Sequence, residues 1–134
     1  MEINKTLQQL YEACEALTED EDILTRELTS RIADKWSMWV LSVLGNGGAL
    51  RFSRVLEQVE GISQKSLTKT LRQLERDGFV TRTVYVQVPL RVDYELTPIG
   101  GELLLRVAPL WHWVAENIAT FQQARERFDA SPKN

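Results

Sequence analysis

A chain of 134 residues, 43% hydrophobic and 26% charged, can bury one apolar core but is too short for two. Its single cysteine, Cys14, excludes a disulfide framework and fits a reducing cytoplasm, and one cysteine with one histidine cannot build a Cys/His metal site within a chain. The formal net charge of −3 is unevenly spread. Residues 1–34 carry three basic and nine acidic side chains, residues 35–96 nine basic and six acidic, and the remainder four of each. The acidic surplus therefore sits at one end and the middle is basic. Binding to a polyanion depends on the field of the face that meets phosphate, so the whole-chain charge does not exclude nucleic acid.

Along the chain, Ile3, Leu7, Leu10, Cys14 and Leu17 form an a/d-like seam that predicts a first helix. The opening Met1-Glu2-Ile3-Asn4-Lys5 does not read as a signal peptide. The acidic run Glu19-Asp20-Glu21-Asp22 interrupts the seam and is expected to mark a connection. A second helical stretch follows, with Leu28, Ile32, Trp36, Trp39, Val40, Val43 and Leu44 on one face, ended by Gly45-Asn46-Gly47-Gly48. A short helix is expected over 52–59, opened by Arg51 and Arg54 and closed by Gly61.

Ser63 then stands as the N-cap of a helix over 64–76, whose apolar stripe is Leu67, Leu71 and Leu74 and whose stop is Asp77-Gly78. Residues 79–86 and 91–96 alternate and are rich in Val, Thr and Tyr, so they read as two strands of a hairpin with Gln87-Val88-Pro89-Leu90 at the tip. Thr97 and Pro98 open a last helix carrying Leu104, Val107, Trp111, Val114, Ile118 and Phe121. Pro109 is expected to kink that helix or divide it, and the tail Ser131-Pro132-Lys133-Asn134 to fray. The longest uncharged apolar stretches fall well short of the roughly 20 residues a membrane span needs. The expected protein is cytoplasmic, with no membrane contact.

The fold class that results is mainly α with a small β-hairpin, arranged as a winged helix-turn-helix. It forms one domain over 1–134: an N-terminal dimerisation helix and acidic connection over 1–22, a winged core over 23–97 and a C-terminal dimerisation helix and tail over 98–134. The first and last helices expose apolar faces that one short chain can hardly cover, which predicts a homodimer.

Away from its leucines, the helix over 64–76 carries Gln64, Lys65, Ser66, Thr68, Lys69, Arg72 and Gln73. These are side-chain types that reach base edges and phosphates in a major groove. Because the N-terminal residues of a recognition helix do most of the reading, Gln64, Lys65, Ser66 and Lys69 are assigned to the groove and Arg72 nearer the backbone. Arg82 and Arg91 lie on the hairpin, where a wing meets flanking phosphate, and Arg51 precedes the short helix, whose N-terminus would attract phosphate. The candidate DNA-binding residues are thus Arg51, Ser63, Gln64, Lys65, Ser66, Thr68, Lys69, Arg72, Arg82 and Arg91, and the candidate partner is double-stranded DNA. The plain alternative, a solvated face of an amphipathic helix, is weakened by the hairpin and the local basic surplus.

Ile32-Ala33-Asp34-Lys35-Trp36, Arg51-Phe52, the run from Gly61 to Thr68, the run from Leu71 to Val80, Arg82, Val84-Tyr85, and the run from Val88 to Thr97 occur in an order and spacing that resemble the HxlR-type family of bacterial winged-helix regulators. The resemblance covers about 80 of the 134 residues. It implies a dimeric regulator of palindromic operators, with a recognition helix over 63–76 and a wing over 86–91. Some members of that family sense oxidants through an N-terminal cysteine about a dozen residues before the Lys-Trp pair. Here that position falls near Ile23, so the redox role does not carry over directly to Cys14. The glycine pair that commonly precedes Lys-Trp is Ala33-Asp34, and a proline common in the last helix is displaced to Pro109.

Cys14 remains the candidate redox residue, although its helical spacing fits a small buried hydrophobe better. Trp36, Trp39, Trp111, Trp113 and Tyr11 are candidates for an effector pocket between subunits, weighed against plain core. His112, with no visible acid partner, reads as a surface residue. No catalytic constellation is present, and neither a cofactor nor a metal is called for. The expected function is sequence-specific DNA binding by a transcriptional regulator, with repression favoured over activation. Two alternatives stay open: redox-sensing regulation through Cys14, and a winged-helix module that binds a protein partner.

Overall fold

A computed structural model describes residues 2–132. The expected frayed tail therefore lies partly outside the described residues. The elements run α1 (Glu2–Glu15), α2 (Glu19–Ala33), α3 (Lys35–Gly47), β1 (Leu50–Arg51), α4 (Phe52–Gln58), α5 (Gln64–Arg76), β2 (Val80–Tyr85), β3 (Arg91–Leu96), α6 (Pro98–Glu116) and α7 (Ile118–Ala130). Among the described residues, no helix is long and apolar enough to cross a membrane.

Four features depart from the sequence reading. The acidic run is the first turn of α2 and not a connection. Thr18 caps it, accepting from the Glu21 N–H while the Glu21 carboxylate accepts from the Thr18 N–H, and acidic side chains suit the positive end of a helix. The second helical stretch is two helices, α2 and α3, divided at Asp34. That residue's extended backbone donates its N–H to Ser30 and Arg31 carbonyls, closing α2, while its carboxylate accepts from the Ser37 N–H at 3.1 Å, opening α3. The last stretch is also two helices, but the division falls at Asn117, and Pro109 lies inside α6. Finally, Leu50 and Arg51 form a third, unforeseen strand, and Arg51, which opens α4 as its N-cap as expected, lies on β1 as well.

The sheet is antiparallel in the order β1-β3-β2. Leu50 pairs with Tyr94 and Arg51 with Asp93 on one side, and β2 pairs with β3 from Val80↔Leu96 to Tyr85↔Arg91 on the other. The core is built around α3, whose Val40, Leu41 and Leu44 meet Val55 and Val59 of α4, the Leu67, Leu71 and Leu74 stripe of α5, and Phe79, Val80 and Val107. No residue of α1 or α7 is buried, and α6 buries only Gly100 and Val107.

Two glycines fix how the hairpin leaves α5 and returns to α6. Gly78 has φ of +83°. This left-handed turn lets the Phe79 N–H reach the Leu74 carbonyl and the Gly78 N–H reach that of Glu75, a Schellman closure. At Gly100 a Cβ would lie 2.1 Å from the Phe79 carbonyl oxygen. The first turn of α6 thus rests against the Phe79 backbone, where Thr97 donates its N–H to Phe79 and its hydroxyl to Gly78.

Candidate nucleic-acid interface

α5 begins where Ser63, in extended backbone, accepts from the Ser66 N–H at 3.0 Å. The Ser63 hydroxyl oxygen, a candidate DNA contact, is therefore already engaged as a cap. Leu67, Thr70, Leu71 and Leu74 turn inward, while Gln64, Lys65, Thr68, Lys69 and Arg72 are exposed. The Thr68 hydroxyl donates to the Gln64 carbonyl at 2.9 Å.

The outer face of α5 is bounded by two clefts. On the α2–α3 side, Ser66, Lys69 and Gln73 line one with Arg31, Asp34 and Trp36. On the wing side, Thr68, Arg72 and Glu75 line another, of about 350 Å³, with Arg82 and Tyr94. Six of the predicted residues, Gln64, Lys65, Ser66, Thr68, Lys69 and Arg72, thus share one helix, and Arg82 joins them across the wing-side cleft. Arg82 lies 3.7 Å from Glu75, a half-exposed pair that solvent screens strongly. The Arg31–Asp77 pair, at 2.6 Å and largely buried, ties α2 to the C-terminus of α5.

The two remaining arginines meet around a residue that sequence reasoning missed. Arg91 holds Asp93 in a two-point pair, Nε to Oδ1 at 3.0 Å and Nη2 to Oδ2 at 2.9 Å. Arg51 stands opposite Asp93 on β1. The Arg91 hydrogen bonds, helped by the Arg91 and Arg51 charges, hold the Asp93 carboxyl below the usual carboxylate range despite its burial, and the same bonds raise Arg91. Opposite charges two apart on a strand share a face, so the Arg91/Asp93 spacing was the available signal. Burial pushes the Tyr94 phenol up.

The residues outside this face are scattered. Cys14 is exposed on α1, not buried as its spacing suggested. Trp36 stacks on Trp39 at 6.0 Å, and Trp39 lines a cleft with Trp111, Ile32 and Met38. Trp113 instead meets Phe121 edge-on at 5.7 Å, and Tyr11 lies in a separate groove on α1 with Leu7. His112 is exposed as expected, yet it does have an acid partner, Glu116, one turn on. Among the described residues, no group of three or more His, Cys, Asp or Glu side chains could hold a metal.

Comparison with known proteins also finds a helix-turn-helix protein. The HxlR-like helix-turn-helix family model matches residues 31–122. The chain is 34% identical over 106 residues to the uncharacterized HTH-type transcriptional regulator YtfH of Escherichia coli, covering 79% of this chain and 83% of that one. Among solved structures, the putative transcriptional regulator ytfH from Salmonella typhimurium superposes with a TM-score of 0.68 at 35% identity, over 76% of this chain and 90% of that one. The reduced form of the transcriptional regulator YodB from B. subtilis superposes at 0.61 with 28% identity, over 73% and 91%. These similarities are to regulators and not to enzymes. The chain belongs to the HxlR-like helix-turn-helix family of transcriptional regulators.

Proposed function

We propose that this regulator is a cytoplasmic homodimer that binds a palindromic operator sequence-specifically and acts as a repressor. In this reading α5 enters the major groove with Gln64, Lys65, Ser66 and Lys69 toward base edges. Thr68 and Arg72 lie toward the backbone, and Arg82 and Arg91 of the wing meet flanking phosphate. The observation that carries it is the outer face of α5, which presents amides, hydroxyls and cations flanked by Arg82 and carries no carboxylate before Glu75. Dimerisation is supported by the unburied apolar faces of α1, α6 and α7, which include Leu7, Leu10, Leu110, Trp113 and Ile118. The cleft between Trp39 and Trp111 is the candidate place for a small-molecule effector.

Fluorescence anisotropy tests this with the duplex upstream of the protein's own gene and a scrambled duplex of equal length, at two salt concentrations. A preference of roughly a thousandfold or more for the upstream duplex is expected. Equal, strongly salt-dependent affinity for both would instead support a basic face that does not read sequence, as in a protein-binding module. Gln64→Ala or Lys69→Ala should relax preference at one or two base pairs, and Arg82→Ala should weaken all duplexes alike. Base preference unchanged in both helix variants would refute the assignment of α5.

A second reading, redox control through Cys14, is favoured by the exposure of that thiol on α1. It requires diamide to release DNA from the wild type and not from Cys14→Ser; equal release from both removes Cys14 from the mechanism.

A further inference from the structure

Among the described residues, Asp93 is the one charged residue that is buried. An ionised carboxylate is costly to bury unless its oxygens are paired. Both are paired here, and to one side chain: Arg91 meets them side-on through Nε and Nη2. The same guanidinium lies over the ring of Tyr85, 5.1 Å from its centroid, and Tyr85 is its register partner on β2. Arg91 is thus held at two points by a buried anion and covered by an aromatic face, yet its side chain remains 38% exposed. Its Nη1 amino group has no protein acceptor among the described residues.

We propose that Asp93 is a positioning residue for DNA binding, which fixes the Arg91 guanidinium in one orientation so that the wing offers a preset donor to a backbone phosphate. This rests on the reading that the wing meets flanking phosphate. An unrestrained arginine loses rotamer freedom when it settles on phosphate. One already held by Asp93 and Tyr85 has lost that freedom on folding, so less is lost on binding. Charge alone makes the opposite forecast. A carboxylate beside a phosphate contact repels DNA, so its removal should tighten binding wherever Asp93 only dilutes the local positive charge. The sign of the effect therefore separates positioning from neutralisation.

The test is anisotropy with a mixed-sequence duplex over a salt series, since a phosphate contact needs no operator. The variants are Arg91→Ala, Asp93→Asn, their double and Arg91→Lys, each checked by circular dichroism at the binding temperature. Arg91→Ala and Asp93→Asn should each weaken binding about tenfold, as loss of one charge-assisted hydrogen bond would. Each should lower the salt slope by about one. The double should be no weaker than either single. Arg91→Lys keeps the charge but cannot make the two-point pair, so it should fall with Arg91→Ala. Unchanged affinity in Arg91→Ala would overturn both the wing contact and the role of Asp93. Weakened Arg91→Ala with unchanged or tightened Asp93→Asn would overturn the positioning role alone. Should Asp93→Asn not fold, Arg91→Lys decides: wild-type affinity there overturns the proposal, and a loss matching Arg91→Ala upholds it.

Discussion

α5 and α1 carry similar apolar stripes, Leu67, Leu71 and Leu74 on one and Ile3, Leu7 and Leu10 on the other, and they meet opposite fates. Leu71 is 1% exposed and Leu10 58%. Spacing tells which face of a helix is apolar, while burial depends on what else the chain can bring to it. The winged core brings α3, which serves α4, α5 and the sheet at once. Nothing in a single chain does the same for α1 or α7. The core is thus stabilised within one chain, whereas the flanking helices leave exposed the apolar surface that the proposed second copy would cover.

The sharpest break in that comparison comes from the core. Leu71→Ala should cost about 2–5 kcal/mol, because it removes a buried side chain and leaves a cavity between α3 and α5. Urea unfolding followed by circular dichroism would show it as a lower midpoint at an unchanged slope. Gly100→Ala should be as severe, since its Cβ would meet a backbone oxygen that cannot rotate away. Leu10→Ala, in contrast, should leave the unfolding of a dilute monomer nearly unchanged. A loss equal to that of Leu71→Ala at all protein concentrations would mean that α1 is covered within the chain after all.

The complementary break is at the flank. Leu110→Glu places a carboxylate on the exposed apolar face of α6. In a dimer that buries this face, an unpaired charge should raise the dimer Kd about a hundredfold or more. Light scattering at micromolar concentration should then return the monomer mass of 15.4 kDa, against twice that for the wild type. A wild-type mass of 15.4 kDa would end the dimer reading. Specific DNA affinity should fall with dissociation, while the circular dichroism of the winged core persists.

The same division governs what was legible in the sequence. The bounds of α5 are legible because its signals are local: Ser63 caps it and Asp77-Gly78 stops it. The strands of the wing were found to within a residue for the same reason. The break at Asp34 was not found, because Trp36, Val40 and Val43 continue the spacing set by Leu28 and Ile32, and periodicity runs through a cap. β1 was missed because two residues cannot show alternation, and its pairing with β3 is fixed by tertiary contact. The Thr18-x-x-Glu21 capping box was readable and was masked by the weight of four consecutive acids. Of the candidate site, the residue types on α5 and Arg82 were legible. The strand position of Arg51 and the capture of Arg91 by Asp93 needed the fold.

A smaller effect sharpens the distinction between a side chain that supports α5 and one that meets DNA. Ser63→Ala should cost about 1 kcal/mol of stability through the lost cap. Ser63→Asp restores a cap acceptor but adds a negative charge at the proposed DNA face. It should recover that stability while weakening duplexes of every sequence, measured by unfolding and anisotropy together. Recovery of both would place Ser63 away from phosphate.

The smallest expected effect is in acid. Asp93 and Glu21 both have carboxyl groups held below their ordinary range in the folded chain, Asp93 by the Arg91 hydrogen bonds and Glu21 first by the Thr18 backbone N–H. A depressed folded pKa contributes stability that is present above the unfolded value and lost as pH falls through the folded one. Wild-type stability should therefore decline as pH drops below the ordinary carboxylate range. Asp93→Asn should flatten that acid limb more than Glu21→Gln, because Asp93 sits buried in the sheet of the cooperative core. Glu21 serves an exposed helix end that frays with less consequence for the whole. Equal flattening in the two variants, read from urea midpoints across the acid range, would mean that α2 unfolds with the winged core. The Arg31–Asp77 pair would then join α2 to that core, and the boundary between core and flank would move back to the connection between α1 and α2.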